Sequence, residues 1–205
     1  MAAEAPHILI LIAMALHAES AGVFDAAGID VLFTGVGKVN AAIALTRRIA
    51  RVRGEGRGLP LVVNFGTAGS ARIPARTLVA CRKFVDRDMD VGALGFAPGV
   101  TPYDELPPLL EFAPEIRGLP EAVCGSGDTF ATTDHGPACD VVDMEAYALA
   151  KVCRMEGAHF ACAKYVSDNV DAQAAEHWKQ NVAGAAESFL GLYQDLVRAR
   201  GASRA

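Results

Sequence analysis

Four acidic side chains stand where folding could turn them into reagents. Asp168 follows an apolar run and sits beside Ser167. A carboxyl group at a buried strand end loses hydration, its pKa rises, and it can donate a proton at neutral pH. The same Ser-Asp pair also suits a cap on a short turn. Glu19 follows another apolar run; its plain alternative is an acid at a helix start, favoured there by the helix dipole. Asp143 and Glu145 flank Met144 at the start of a predicted helix. Residues two apart on a helix do not share a face, so one of the pair is expected to enter a site and the other to point elsewhere.

Two glycine-rich segments could cradle a ligand. Gly35-Val36-Gly37-Lys38 is too short for a nucleotide phosphate loop and lacks the Ser or Thr after its lysine. It reads first as a tight strand-to-helix turn. The Gly66-Thr67-Ala68-Gly69 turn could offer backbone N–H groups and the Thr67 hydroxyl to a ligand oxygen. His7, His17, His135, His159 and His177 show no metal-ligand spacing, so no metal is expected. His17 reads as a surface residue and His159 as a core histidine. No Gly-x-Ser-x-Gly elbow accompanies the Ser, His and Asp residues. Trp178 and Phe189 fit the buried stripe of a last helix better than a cofactor box, and no cofactor is expected.

The elements that must position these groups follow from periodicity and punctuation. Apolar strands are predicted at 7–14, 30–34, 61–65, 77–85, 121–124 and 158–166. Helices are predicted at 38–53, 143–156 and, as one long amphipathic element, 173–198. Residues 86–120 are rich in Pro and Gly and read as loops. Strands apolar on both faces, alternating with helices, imply a mostly parallel sheet covered on both sides. Ligands on such sheets bind beyond the carboxyl ends of the strands. Glu19, the two glycine segments, Ser126 to Phe130 and Ser167-Asp168 all fall there.

Composition narrows the classes. A chain of 205 residues suits one domain, and its apolar half is enough for a full core. The net charge of −5 and the lack of a basic face argue against a nucleic-acid partner. Arg47, Arg48, Arg51, Arg53 and Arg57 read as a solvated helix end. Five cysteines, odd in number and without a Cys-x-x-Cys pair, fit a reducing, cytoplasmic compartment. The apolar run from Ile8 to Leu16 is far short of a membrane span and follows Glu4 rather than a basic segment, so it reads as a buried strand and no membrane association is expected.

Six segments then argue together: ALHAES at 15–20, FTGVGKVNAA at 33–42, VVNFGTAGS at 62–70, SGDTF at 126–130, VVDMEAYALAKVC at 141–153 and KYVSD at 164–168. In this order they resemble the methylthioadenosine/S-adenosylhomocysteine nucleosidases of the nucleoside phosphorylase superfamily. The resemblance implies a three-layer α/β/α sandwich around a central mixed, mostly parallel twisted sheet, one domain over 1–205, and a homodimer. It implies a nucleosidase that releases adenine from a small-molecule purine nucleoside with water as the co-substrate. By the same resemblance Asp168 is the general acid on the purine ring nitrogen, Ser167 its hydrogen-bonding support, and Glu19 the carboxylate that handles water. Glu145 accepts the ribose hydroxyls, Met144 packs beneath the sugar, Phe130 stacks on the base and Thr67 supplies the active-site hydroxyl. Lys164 stands where many members carry an arginine near the water. The spans from Glu19 to Phe33 and from Ala131 to Asp140 are shorter than the family's hairpin and helical insertion, and residues 86–104 are expected to close the 5′ pocket or reach across a dimer.

The implied chemistry is coherent. A ribosyl bond breaks toward a sugar cation, a purine leaves poorly as an anion, and a donated proton makes it a better leaving group. A carboxylate on the water side also stabilises the cation. Asp168 must then hold a proton while Glu19 is charged, a recurring division of labour between two acids. Phosphorolysis is the closest rival. Phosphorylases of the superfamily place an arginine where Asn64 stands here, and Glu19 would repel a phosphate dianion. Hydrolysis of another purine nucleoside, futalosine-like or lipid-linked, and non-catalytic nucleoside binding are the remaining readings.

Overall fold

A computed structural model describes residues 9–133 and 139–202, with the side chains of 201 and 202 left aside. His7, His135 and residues 134–138 of the short 131–140 span lie outside the described residues. The chain runs β1 (Ile10–Met14), α1 (His17–Ser20), α2 (Val23–Ala26), β2 (Val31–Phe33), α3 (Lys38–Gly54), β3 (Leu61–Gly69), β4 (Leu78–Asp86), β5 (Leu109–Glu111), β6 (Glu121–Ser126), β7 (Val141–Asp143), α4 (Ala146–Glu156), β8 (His159–Asp168), α5 (Ala174–Asn181) and α6 (Ala186–Ala202).

The strand segments are apolar throughout because both faces are buried. Along β1, Leu11 and Ala13 enter one core with α3 and α4 residues such as Leu45, Ile49 and Leu149. Ile12 and Met14 enter the other, with Phe24 of α2 and Phe189 of α6. Alternation of this kind is what a period of two produces on a pleated strand. On α3 the buried side chains are Ala41, Leu45, Ile49 and Val52, one stripe at helical spacing. Val39 and Ile43, on a neighbouring face, stay exposed. Gly157, at φ +70, ends α4 by donating its N–H to the last carbonyls.

β1, β2, β3 and β8 pair in parallel, whereas β4 meets β8 and β3 meets β7 antiparallel. The result is the expected mixed sheet with helices packed on it. The sheet also closes on itself, which the layered expectation did not include: β3, β8, β4, β6 and β7 form a ring, sealed where Gly69 pairs with Val142.

Four local expectations are corrected. Residues 66–69 are the last four residues of β3, not a turn. Asp143, predicted to start a helix, instead ends β7, and helix α4 starts only at Ala146. The predicted last helix is two helices: a Cβ at Gly184 would lie 2.8 Å from the Tyr165 hydroxyl, so this glycine admits the ring at the break. His159 is exposed, with Glu115 as its nearest acid, rather than a core residue. No helix among the described residues is long and apolar enough to cross a membrane.

Candidate active site

The ring's seam opens into a cavity of about 340 Å³. Its wall carries Glu19 from α1, Thr67 to Gly69 from β3, Val142 and Asp143 from β7, Met144 and Glu145 from the link between β7 and α4, and Ser167 and Asp168 from β8. Thr129, Phe130, Ala175 and Trp178 complete it toward solvent. The two acids farthest apart in sequence therefore share one space.

Their environments differ. Four donors converge on Glu19. One carboxylate oxygen accepts from the backbone N–H of Ala15 and Leu16, both at 3.1 Å. The other accepts from the Thr67 N–H at 2.7 Å and the Thr67 hydroxyl at 3.0 Å. The capping role and the site role thus coincide, since α1 begins on the same carboxylate. Burial pushes the Asp168 carboxyl above the usual range, against the opposing Ser167 and Val170 hydrogen bonds. Ser167 Oγ lies 2.8 Å from one Asp168 oxygen and 3.3 Å from the Ala68 carbonyl. The Ser167 hydroxyl is the donor to this Asp168 oxygen.

Glycine makes room for both acids. A Cβ at Gly66 would lie 3.0 Å from a Glu19 carboxylate oxygen and 3.3 Å from Lys164 Nζ. A Cβ at Gly69 would lie 2.7 Å from Asp168 Oδ1 and 2.8 Å from Val170 Cγ2. The glycines of β3 serve as close-approach positions, not as a ligand-binding turn. Gly69→Ala is expected to displace the Asp168 carboxyl and cut turnover by about tenfold or more, as misplacement of a reacting group does. Steady-state kinetics beside a circular dichroism spectrum checks this, and wild-type turnover would refute it.

Asp143 and Glu145 both line the cavity, so the expected division into one acid inside and one elsewhere is corrected; they differ in their partners. Asp143 ends a strand and turns to Lys164 Nζ at 2.8 Å and the Ala146 N–H at 2.9 Å. It also accepts from Ser126 Oγ, which in turn accepts the Tyr147 N–H at 2.8 Å. Glu145 precedes α4 and accepts the Gly37 N–H at 2.8 Å. Burial first, then the neighbouring Asp143 charge, raise Glu145 to about 7. Gly37, at φ +97, thus serves a carboxylate rather than a phosphate.

Of the residues singled out in sequence, Glu19, Thr67, Phe130, Met144, Glu145, Ser167 and Asp168 line the cavity. Lys164 does not. It is 1% exposed, paired with Asp143 beneath the floor, so its expected place among substrate contacts is corrected to a buried support. Trp178, expected in the core, lines the cavity instead, because the break at Gly184 separates α5 from the packed face of α6. Its periodicity gave no sign of this. Asn64 spends its amide on the Ala13 and Phe65 carbonyls and does not face the cavity.

The family model described as the phosphorylase superfamily matches residues 26–138 and 132–198. A 5′-methylthioadenosine/S-adenosylhomocysteine nucleosidase of Geobacillus thermodenitrificans is 30% identical over 199 residues, covering 87% of this chain and 82% of the relative. The chain belongs to the methylthioadenosine/S-adenosylhomocysteine nucleosidase family. Solved structures share its fold. A Helicobacter pylori nucleosidase of the same name superposes with a TM-score of 0.82 at 20% identity, over 95% of this chain and 99% of that one. A Helicobacter pylori futalosine hydrolase superposes with a TM-score of 0.81, also at 20% identity, over 93% and 97%. In this nucleosidase-family chain the short span from Glu19 to Phe33 is filled by the helical turns α1 and α2.

Proposed function

We propose that this protein hydrolyses the N-glycosidic bond of an adenine nucleoside of the methylthioadenosine or adenosylhomocysteine type, releasing adenine. One observation carries the reading: two carboxyls in opposed environments face a single cavity, one pushed toward its protonated form by burial and the other surrounded by donors. Asp168 protonates the departing purine on a ring nitrogen. Glu19 holds the attacking water, takes its proton and stabilises the sugar cation. Phe130 stacks on the base, Met144 packs under the sugar, and Glu145 accepts the ribose hydroxyls. Ser167 supports Asp168 by donating its hydroxyl to the carboxyl. Lys164 acts from below, through Asp143.

Water rather than phosphate is favoured by Glu19 itself, an anion on the side where a phosphate would have to enter. Asn64, at the position of the phosphorylases' arginine, is occupied within the sheet. Adenine release from methylthioadenosine and adenosylhomocysteine, measured with and without phosphate, tests the reading. Equal rates in both are expected; release only with phosphate would overturn hydrolysis.

Glu145 sets a pH dependence. The ribose hydroxyls donate, so the carboxylate must be charged to accept them. With its pKa at about 7 in the free protein, protonation weakens binding as pH falls. KM should rise about tenfold between pH 8 and pH 6, by single-site titration. Glu145→Gln should flatten that profile while raising KM at high pH; a wild-type KM independent of pH would remove Glu145 from ribose binding.

The reading extends to one layered α/β/α domain over the whole chain, acting as a cytoplasmic homodimer. Five free, buried cysteines suit a reducing compartment. Exposed Leu94 and Tyr103, in the 86–104 region, suit a partner surface. Light scattering at micromolar concentration checks the dimer.

A further inference from the structure

Trp178 is the chain's single tryptophan, and nothing in the reaction as described above requires an indole there. Its ring lines the cavity from α5, and its Nε1–H donates to Thr67 Oγ1 at 3.1 Å. Thr67 Oγ1 lies 3.0 Å from Glu19 Oε1, the oxygen that also accepts the Thr67 N–H.

The direction of this chain follows from what each group can do. An indole nitrogen only donates. A threonine hydroxyl has one hydrogen and two lone pairs. Once a lone pair has accepted the indole proton, the hydroxyl hydrogen has one acceptor in reach among these partners, the Glu19 carboxylate. Tryptophan thereby makes Thr67 a donor to Glu19 and discourages it from turning to a bound water or the sugar. The side chain of Asn181, one turn after Trp178 at the C-terminus of α5, donates to the Ser167 carbonyl at 2.8 Å. One helix is therefore tied to the strand that carries Asp168 and to the threonine that holds Glu19.

We propose that Trp178 is a positioning residue, whose indole N–H orients the Thr67 hydroxyl toward Glu19 and so fixes the carboxylate that handles water. The proposal rests on the nucleosidase reading above. Phenylalanine at this position would keep an aromatic wall and lose only the donor, so the ring's packing and its hydrogen bond are separable.

Adenine release by the wild type, Trp178→Phe, Thr67→Val and the double variant tests it, with methylthioadenosine as substrate. Trp178→Phe is expected to lower kcat about 3- to 10-fold, the worth of one neutral hydrogen bond, with KM within about twofold. In the Thr67→Val background the same change should cost nothing further in kcat, because the acceptor is already gone. The lone indole gives a second readout independent of turnover: its emission maximum should shift in Thr67→Val and stay in place in Thr67→Ser, which keeps the hydroxyl. A wild-type kcat in Trp178→Phe, a rise in KM alone, a full additive loss in the double variant, or an emission maximum unmoved in Thr67→Val would overturn the proposal while leaving the nucleosidase reading intact. A wild type that releases no base from any purine nucleoside would overturn both.

Discussion

Asp168→Asn should lower adenine release by about 100- to 10,000-fold, the usual contribution of a general acid, with KM changed little. Asparagine matches the carboxyl in shape and can still meet Ser167 Oγ and the Val170 N–H, the two partners of Asp168. It has no proton to give. The pH behaviour separates this loss from misfolding. Burial holds the Asp168 proton to a higher pH than an ordinary aspartate, so wild-type activity should fall as pH rises through that raised value. The variant should show only a low, flat rate. The stability effect has the opposite sign. A carboxyl whose folded pKa is raised stabilises the fold at low pH, and that contribution is lost as pH rises through the folded value. Above it the wild type carries a buried charge that asparagine lacks, so the variant should melt at the same temperature or higher. Turnover within about threefold of wild type would take the acid role away from Asp168.

Lys164→Met should have the largest effect on stability, about 3–5 kcal/mol, because it leaves a buried charge without its partner. Lys164 and Asp143 bury nearly all of their side chains and meet at 2.8 Å. Burial alone would raise Asp143. The Lys164 charge, with the Ser126 and Ala146 hydrogen bonds, reverses this and holds it below the usual carboxylate range. The pair's contribution from Asp143 is thus present above about pH 4 and falls away as pH drops through the depressed value. For a domain of this size the expected loss in melting temperature at neutral pH is on the order of 10 °C. Adding Asp143→Leu to Lys164→Met should recover part of it, since an apolar pair of similar volume avoids the stranded charge. Calorimetry of the three proteins checks this, and a Lys164→Met melting temperature within about 2 °C of wild type would show that Asp143 does not depend on its partner.

Much of the site was legible before any tertiary contact was known. The six segments from ALHAES to KYVSD, in order, pointed to the family, and strand-end placement singled out Glu19, Thr67 and Asp168. Lys164 and Trp178 were assigned to the wrong surroundings, each for a physical reason. A lysine inside an apolar run looks alike whether it reaches a ligand or a buried acid, and its acid lies 21 positions earlier (164 − 143) on another strand. Trp178 continued the apolar stripe of a helix whose break at Gly184 depends on the Tyr165 ring of β8.

From the residues alone came the local facts: which runs are apolar on both faces and must be covered strands, where glycines cluster, and which acids stand at strand ends. These are set by side-chain chemistry and short-range periodicity, and they survive in any fold that buries the runs. Folding in three dimensions decided the rest. Closure of the ring at Gly69 and Val142 made the seam that holds the cavity. Hydrogen-bond partners distinguished Glu19, with four donors, from the equally buried Asp168, and the packing of α5 brought an indole to Thr67. Protonation and hydrogen-bond direction depend on solvent exclusion and on partners dozens of residues away, and neither quantity is a property of a local stretch of chain.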